Sequence, residues 1–97
     1  MITLEQCRAA RALLDWSREQ LVEASRVSLR TIIDFERRAR EPRFLTLDAL
    51  RRALEAGGVE FIPENGGGAG VRLRKGGPRG DPDASIKVEN LTAENDD

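Results

Sequence analysis

Residues 17–38 read SREQLVEASRVSLRTIIDFERR, and two helix starts stand only eleven residues apart within them. Ser17 precedes Gln20 by three, the spacing at which a Ser hydroxyl and a Gln side chain cap each other's backbone amides. Leu21 then marks the inner face of a short helix. Ser28 is a good N-cap for a second helix running to about Arg37, with Ile32 and Phe35 as its buried stripe. Only Ser25, Arg26 and Val27 lie between the two. Short helices joined by so tight a turn cannot lie antiparallel and must cross steeply. That is helix-turn-helix geometry, which projects its second helix outward from a small core.

The same capping chemistry places two more helices. Thr3 stands three residues before Gln6, and Leu4, Cys7, Ala10 and Leu14 recur at helical spacing. Thr46 is expected to cap the fourth helix, whose inner face is Leu47, Leu50, Ala53 and Leu54. The pair Gly57–Gly58 ends that helix by permitting a left-handed C-cap. Trp16, Phe35 and Phe44 read as core, and Cys7 as a small buried hydrophobe.

After Gly58 the period changes. Val59-Glu60-Phe61-Ile62 and Val71-Arg72-Leu73-Arg74 are short β-prone runs around a Gly-rich stretch, the pattern of a hairpin with a loose loop. The competing reading is a flexible linker with two apolar anchors. Val59, Phe61, Val71 and Leu73 alternate, and a lone two-stranded hairpin is marginal in water without a second apolar surface. These four are therefore expected to carry a homodimer contact. From Gly76 onward Pro, Gly, Asp, Glu and Asn dominate, so a disordered tail is expected, with only Ile86, Val88 and Leu91 able to dock. The expected architecture is all-α: a four-helix core over 1–58, a hairpin over 59–75 and the tail over 76–97.

Charge divides along the same line. The formal net charge of −1 conceals 14 Lys+Arg against 11 Asp+Glu in residues 1–75, and 2 against 6 in residues 76–97. A basic globular part with an acidic tail suits a polyanionic partner, although a plain solvated surface can look the same. One cysteine and no histidine exclude an intramolecular disulfide, the common metal sets and the usual general base. No cofactor is expected, and no catalytic constellation is present. No apolar run reaches the roughly 20 residues of a membrane span. With no signal-peptide pattern at the N-terminus, a reduced cytoplasmic compartment is the expectation.

Three stretches carry a family resemblance: Leu14–Val22 (LDWSREQLV), Val27–Arg37 (VSLRTIIDFER) and Glu41–Leu47 (EPRFLTL). Through them, residues 8–56 resemble the Xre/Cro/phage-repressor helix-turn-helix family. The resemblance implies an all-helical, lambda-repressor-like DNA-binding core acting as a homodimer on an inverted repeat. It also implies a partly buried ion pair between Arg11 and Glu36, joining the first and third helices. This chain departs from the family pattern in Arg18, where Gln is usual, and in Arg26 and Arg38, where Gly is favoured. Holding a non-Gly residue at positive φ costs on the order of 1 kcal/mol. The family's fifth helix is replaced here by the expected hairpin.

Within this frame Arg30 is the first candidate for base reading. It lies opposite Ile32 and Phe35, near the end of the third helix that touches base edges, and Arg can bond guanine O6 and N7 together. Asp34, four residues on, can hold the guanidinium or accept from a cytosine amine. The competing reading is an ordinary exposed i,i+4 pair. Leu29 and Ile33 suit thymine methyls, although partial burial is the simpler account of Ile33. Arg18, Ser28, Thr31, Arg37, Arg38, Arg40 and Arg43 form the candidate phosphate set, against the alternative of a solvated basic face. The expectation is a sequence-specific transcription regulator, with repression foremost, binding double-stranded DNA as a homodimer. The alternative is a protein-interaction module, such as an antitoxin or anti-activator, working through the hairpin or tail.

Overall fold

The computed structural model describes residues 1–75; the expected tail and its three apolar residues lie outside them. Four helices come first: α1 (Leu4–Leu14), α2 (Arg18–Ser25), α3 (Leu29–Glu36) and α4 (Phe44–Gly57). Two strands follow, β1 (Val59–Ile62) and β2 (Gly70–Leu73), paired antiparallel with Val59 opposite Leu73 and Phe61 opposite Val71. The second strand thus begins one residue earlier than its sequence suggests.

Three of the four helix starts follow from their caps. Thr3 with Gln6, and Ser17 with Gln20, form reciprocal capping boxes, and the Ser28 hydroxyl accepts the Thr31 amide. The fourth start corrects the expectation. Thr46 is not the cap: α4 begins at Phe44, with Arg43 in the N-cap position and no side-chain cap at all. The Leu47 amide already donates to the Arg43 carbonyl at 3.0 Å, so helical bonding is under way before Thr46 is reached. The added turn runs beyond the edge of the core. Phe44, expected inside, is therefore 65% exposed, and Leu45 is 79% exposed.

Three helix exits use a left-handed residue other than glycine: Asp15 at φ 58°, Arg26 at φ 64° and Arg38 at φ 62°. The turns at the two departures from the family pattern therefore keep a glycine-like backbone despite carrying arginine. Their bonding accounts for it. After α3 the Ala39 amide reaches the Asp34 carbonyl at 2.7 Å and the Arg38 amide reaches that of Phe35 at 3.1 Å, a Schellman closure. Between α2 and α3 the Ser25 hydroxyl donates to the Leu21 carbonyl and accepts the Val27 amide, which fixes the short connection from both sides.

The hydrophobic core does not end at Gly58. Cys7, Ala10, Leu21, Ile32, Leu50, Leu54 and Val59 are all fully buried in one cluster, and Phe61 and Val71 pack against it. Buried Gln6 ties the hairpin to α1, its amide donating to the Gly70 carbonyl at 2.8 Å and to that of Ile62 at 3.3 Å. Arg74 closes the other end, its guanidinium donating to the Glu55 carbonyl at the last turn of α4. The second apolar surface that the hairpin needs is its own protomer. Val59 has no surface left for a partner, and of the alternating four only Leu73 is largely exposed, at 45%.

Gly57 and Gly58 serve different ends. Gly58 takes φ 125°, a conformation that side chains rarely adopt. Gly57 is still helical, but a Cβ there would lie 2.8 Å from two ring carbons of Trp16, so Trp16 packs directly on its backbone.

Candidate nucleic-acid interface

The third helix turns Ile32 and Phe35 into the core, which leaves Leu29, Arg30, Ile33 and Asp34 along its other side. Leu29 is 37% exposed, and Ile33 and Asp34 are half-buried. Arg30 projects furthest: its side chain is 79% exposed, and Nη1 lies 3.6 Å from Asp34 Oδ1. That separation leaves the guanidinium loosely held, with its donors available. Ser28 and Thr31, assigned to phosphate, are bonded to each other as well as through the cap, the Ser28 hydroxyl donating to Thr31 Oγ1 at 2.9 Å.

Arginines cluster where α3 ends. Arg37, Arg38, Arg40 and Arg43 are all exposed. Arg38 is paired with Glu5 at 2.5 Å, and both side chains are largely solvated. A backbone hydrogen bond at Glu5, and after it the bond from Arg38, hold the carboxyl of Glu5 below the usual range. Among the described residues Arg37, Arg40 and Arg43 enter no ion pair. Arg40 and Pro42 meet Arg30, Thr31 and Asp34 around a small hollow beside α3, so base-reading and phosphate candidates are contiguous there.

Arg18 is placed differently from a free surface arginine. Its Nε donates to Glu36 Oε1 at 2.9 Å, and the carboxylate of Glu36 is completely shielded from water. The pair expected from the family resemblance is there as well: Arg11 Nη2 reaches Oε1 at 2.7 Å and Nε reaches Oε2 at 2.8 Å. The Cys7 thiol adds a fourth bond, Sγ to Oε2 at 3.3 Å. Burial by itself would raise the Glu36 carboxyl, but the bonds from Arg11, Arg18 and Cys7 together hold it below the usual range. The same burial, with the Glu36 charge beside it, pushes the Cys7 thiol far up, so it stays protonated and unreactive.

Sequence reasoning missed Arg8. This exposed residue of α1 faces a groove whose walls also include Leu4, Arg18, Glu36, Arg37 and Arg38. Its signal in the sequence is only an arginine three residues before Arg11, indistinguishable from an ordinary solvated face. No group of three or more metal-ligating side chains occurs among the described residues, and none of their helices is long and apolar enough to cross a membrane.

Neither a protein-family model nor a curated protein matches the chain.

Proposed function

We propose that this chain is a sequence-specific DNA-binding transcription regulator whose α2 and α3 act as a helix-turn-helix. In this reading α3 enters the major groove with Arg30 reading a guanine and Leu29 and Ile33 meeting thymine methyls. The observation that carries it is the outer side of α3. A two-faced eight-residue helix presents a nearly free guanidinium and an exposed leucine to solvent, flanked by unpaired arginines at its end. A helix whose only task was packing would have no use for that combination. Binding as a homodimer to two half-sites follows from size, since one short helix contacts too few base pairs to be selective alone.

Selection of binding sites from random duplex DNA with the full chain tests the proposal. The expected outcome is an inverted repeat with half-sites roughly 10 bp apart, centre to centre. Absence of any enriched sequence refutes it. One observation favours a protein-interaction role as second reading: Phe44 and Leu45, adjacent at the start of α4, are 65% and 79% exposed. Under that reading, Leu45→Glu abolishes partner capture and leaves DNA affinity unchanged.

A further inference from the structure

Phe44 and Leu45 open α4 at 65% and 79% exposure, and arginine surrounds the apolar pair. Arg40 and Arg43 are exposed and, among the described residues, enter no ion pair. Glu41 is the one exposed carboxylate between Arg37 and Thr46. α4 also begins with no side-chain cap and no acidic residue in its first turn, which leaves its positive end uncompensated. This surface suits a segment that combines apolar side chains with negative charge. A second copy of the same face fits poorly, because a two-fold contact sets its arginines against their own counterparts.

The chain carries such a segment itself. Residues 86–97, outside the described ones, read IKVENLTAENDD: Ile86, Val88 and Leu91 are apolar, and Glu89, Glu94, Asp96 and Asp97 stand against Lys87 alone. Arg74 fixes the point from which the chain departs toward them. Its amide donates to the Gly58 carbonyl at 2.8 Å and its guanidinium to the Glu55 carbonyl, so the chain leaves β2 beside the last turn of α4. From Glu55 back to Phe44 is roughly 17 Å at 1.5 Å per helical residue. Residues 75–86 reach up to about 36 Å when extended, which spans that length of helix with some to spare. A short tether of this kind supplies its segment at an effective concentration on the order of millimolar.

We propose that Phe44 and Leu45, with Arg40 and Arg43 beside them, receive residues 86–97 of the same chain. Val88 and Leu91 cover the apolar pair, and the carboxylates that follow face the arginines. The consequence for regulation rests on the DNA-binding reading, which assigns Arg40 and Arg43 to phosphate: the docked segment and a duplex compete for the same two guanidinium groups.

Two measurements on the full chain test the docking and the competition separately. Cys7 is buried and stays protonated, so Asn95→Cys offers a single reactive thiol to a nitroxide label. The label is expected to broaden the backbone amide resonances of Arg43 to Leu47, and Leu45→Glu is expected to restore them. A mixture of labelled chains with unlabelled, isotope-enriched ones should show no broadening at these residues, because the contact lies within one chain. Broadening in the mixture as strong as in the single chain gives the surface to a second copy's segment and overturns the proposal. Absence of broadening in the single chain overturns it as well and leaves the DNA-binding reading standing. For the competition, Glu89→Gln, Glu94→Gln, Asp96→Asn and Asp97→Asn together should tighten binding to random duplex roughly threefold or more at low salt, and by less as salt rises. Unchanged low-salt affinity overturns the competition. Broadening without any duplex binding by either form supports the docking and overturns the DNA-binding reading together with the competition.

Discussion

Glu36 stands where α1, α2 and α3 meet, and its ionised carboxylate holds the three together through Arg11, Arg18 and Cys7. Breaking a buried pair by removing one partner costs about 3–5 kcal/mol, because the other charge is left uncompensated. Glu36→Ala is expected to lose stability on that scale in urea denaturation. The pH dependence has a definite sign. A carboxyl held lower in the folded state than in the unfolded state contributes stability that is present above the unfolded value. That contribution is lost as pH falls through the lower, folded value. Urea midpoints measured across the acid range should therefore fall for the native protein and flatten for Glu36→Gln; equal slopes would refute this. The pairing with Arg11 was legible through the family resemblance. The share of Arg18 was not, since its neighbours in sequence suggest only a helix start.

At the scale of elements, the sequence reveals what local chemistry decides. The caps at Thr3, Ser17 and Ser28 act within three residues of themselves, so α1, α2 and α3 begin where their spacing says. The start of α4 has no such cap, and the sequence misleads there, with Phe44 exposed as a result. Contacts between distant segments were equally hidden. Nothing near Gln6 announces its bonds to Ile62 and Gly70, and nothing near Gly57 announces Trp16. The approach of Trp16 to Gly57 makes a clean prediction because Trp16 is the chain's sole tryptophan. Gly57→Ala gains about 1 kcal/mol of helix propensity, but overpacking a fitted site typically costs about 1–3 kcal/mol. A Cβ here would meet Leu14 Cδ1 at 2.9 Å as well as the ring, so both side chains must move. Net destabilisation with a red-shifted tryptophan emission is expected; a more stable variant with unchanged emission would show that Trp16 yields freely.

For the whole molecule, the packing of the hairpin changes what truncation should do. The sequence suggested that residues 1–58 fold alone, with the hairpin left to join two protomers. Burial of Val59 in the protomer's own core is worth about 1.5–3 kcal/mol, and ending the chain at Gly58 forfeits it. Truncation there should lower the thermal midpoint, which calorimetry would measure; an unchanged midpoint would show that the four helices are complete without the hairpin. The dimer interface of the proposed regulator then falls to what remains apolar and exposed, chiefly Leu73 on β2 or Phe44 and Leu45 on α4. Light scattering decides between them. If Leu73→Glu is monomeric the hairpin joins the protomers, and if only Leu45→Glu is monomeric α4 does.

Base reading and phosphate gripping differ in how the effect of a substitution is distributed over sequences, so Arg30 can be told from Arg37. A bidentate base contact discriminates by geometry, whereas a phosphate contact acts through counterion release common to every duplex. Arg30→Ala is expected to cost roughly 1–3 kcal/mol on the selected site and to flatten preference at one base pair per half-site. Arg37→Ala should instead weaken selected and random DNA together. It should also reduce the slope of log K against log salt by about 0.9 for each phosphate that the protein no longer neutralises. Asp34 complicates the first measurement, because its carboxylate lies 3.6 Å from the Arg30 guanidinium and would face the DNA unpaired in the variant. The double change with Asp34→Ala removes that charge and isolates the contribution of Arg30. If Arg30→Ala and the double variant both keep the base preference while lowering all affinities equally, Arg30 grips phosphate. Reading would then pass to Leu29 and Ile33, whose apolar approach to thymine methyls carries no salt dependence.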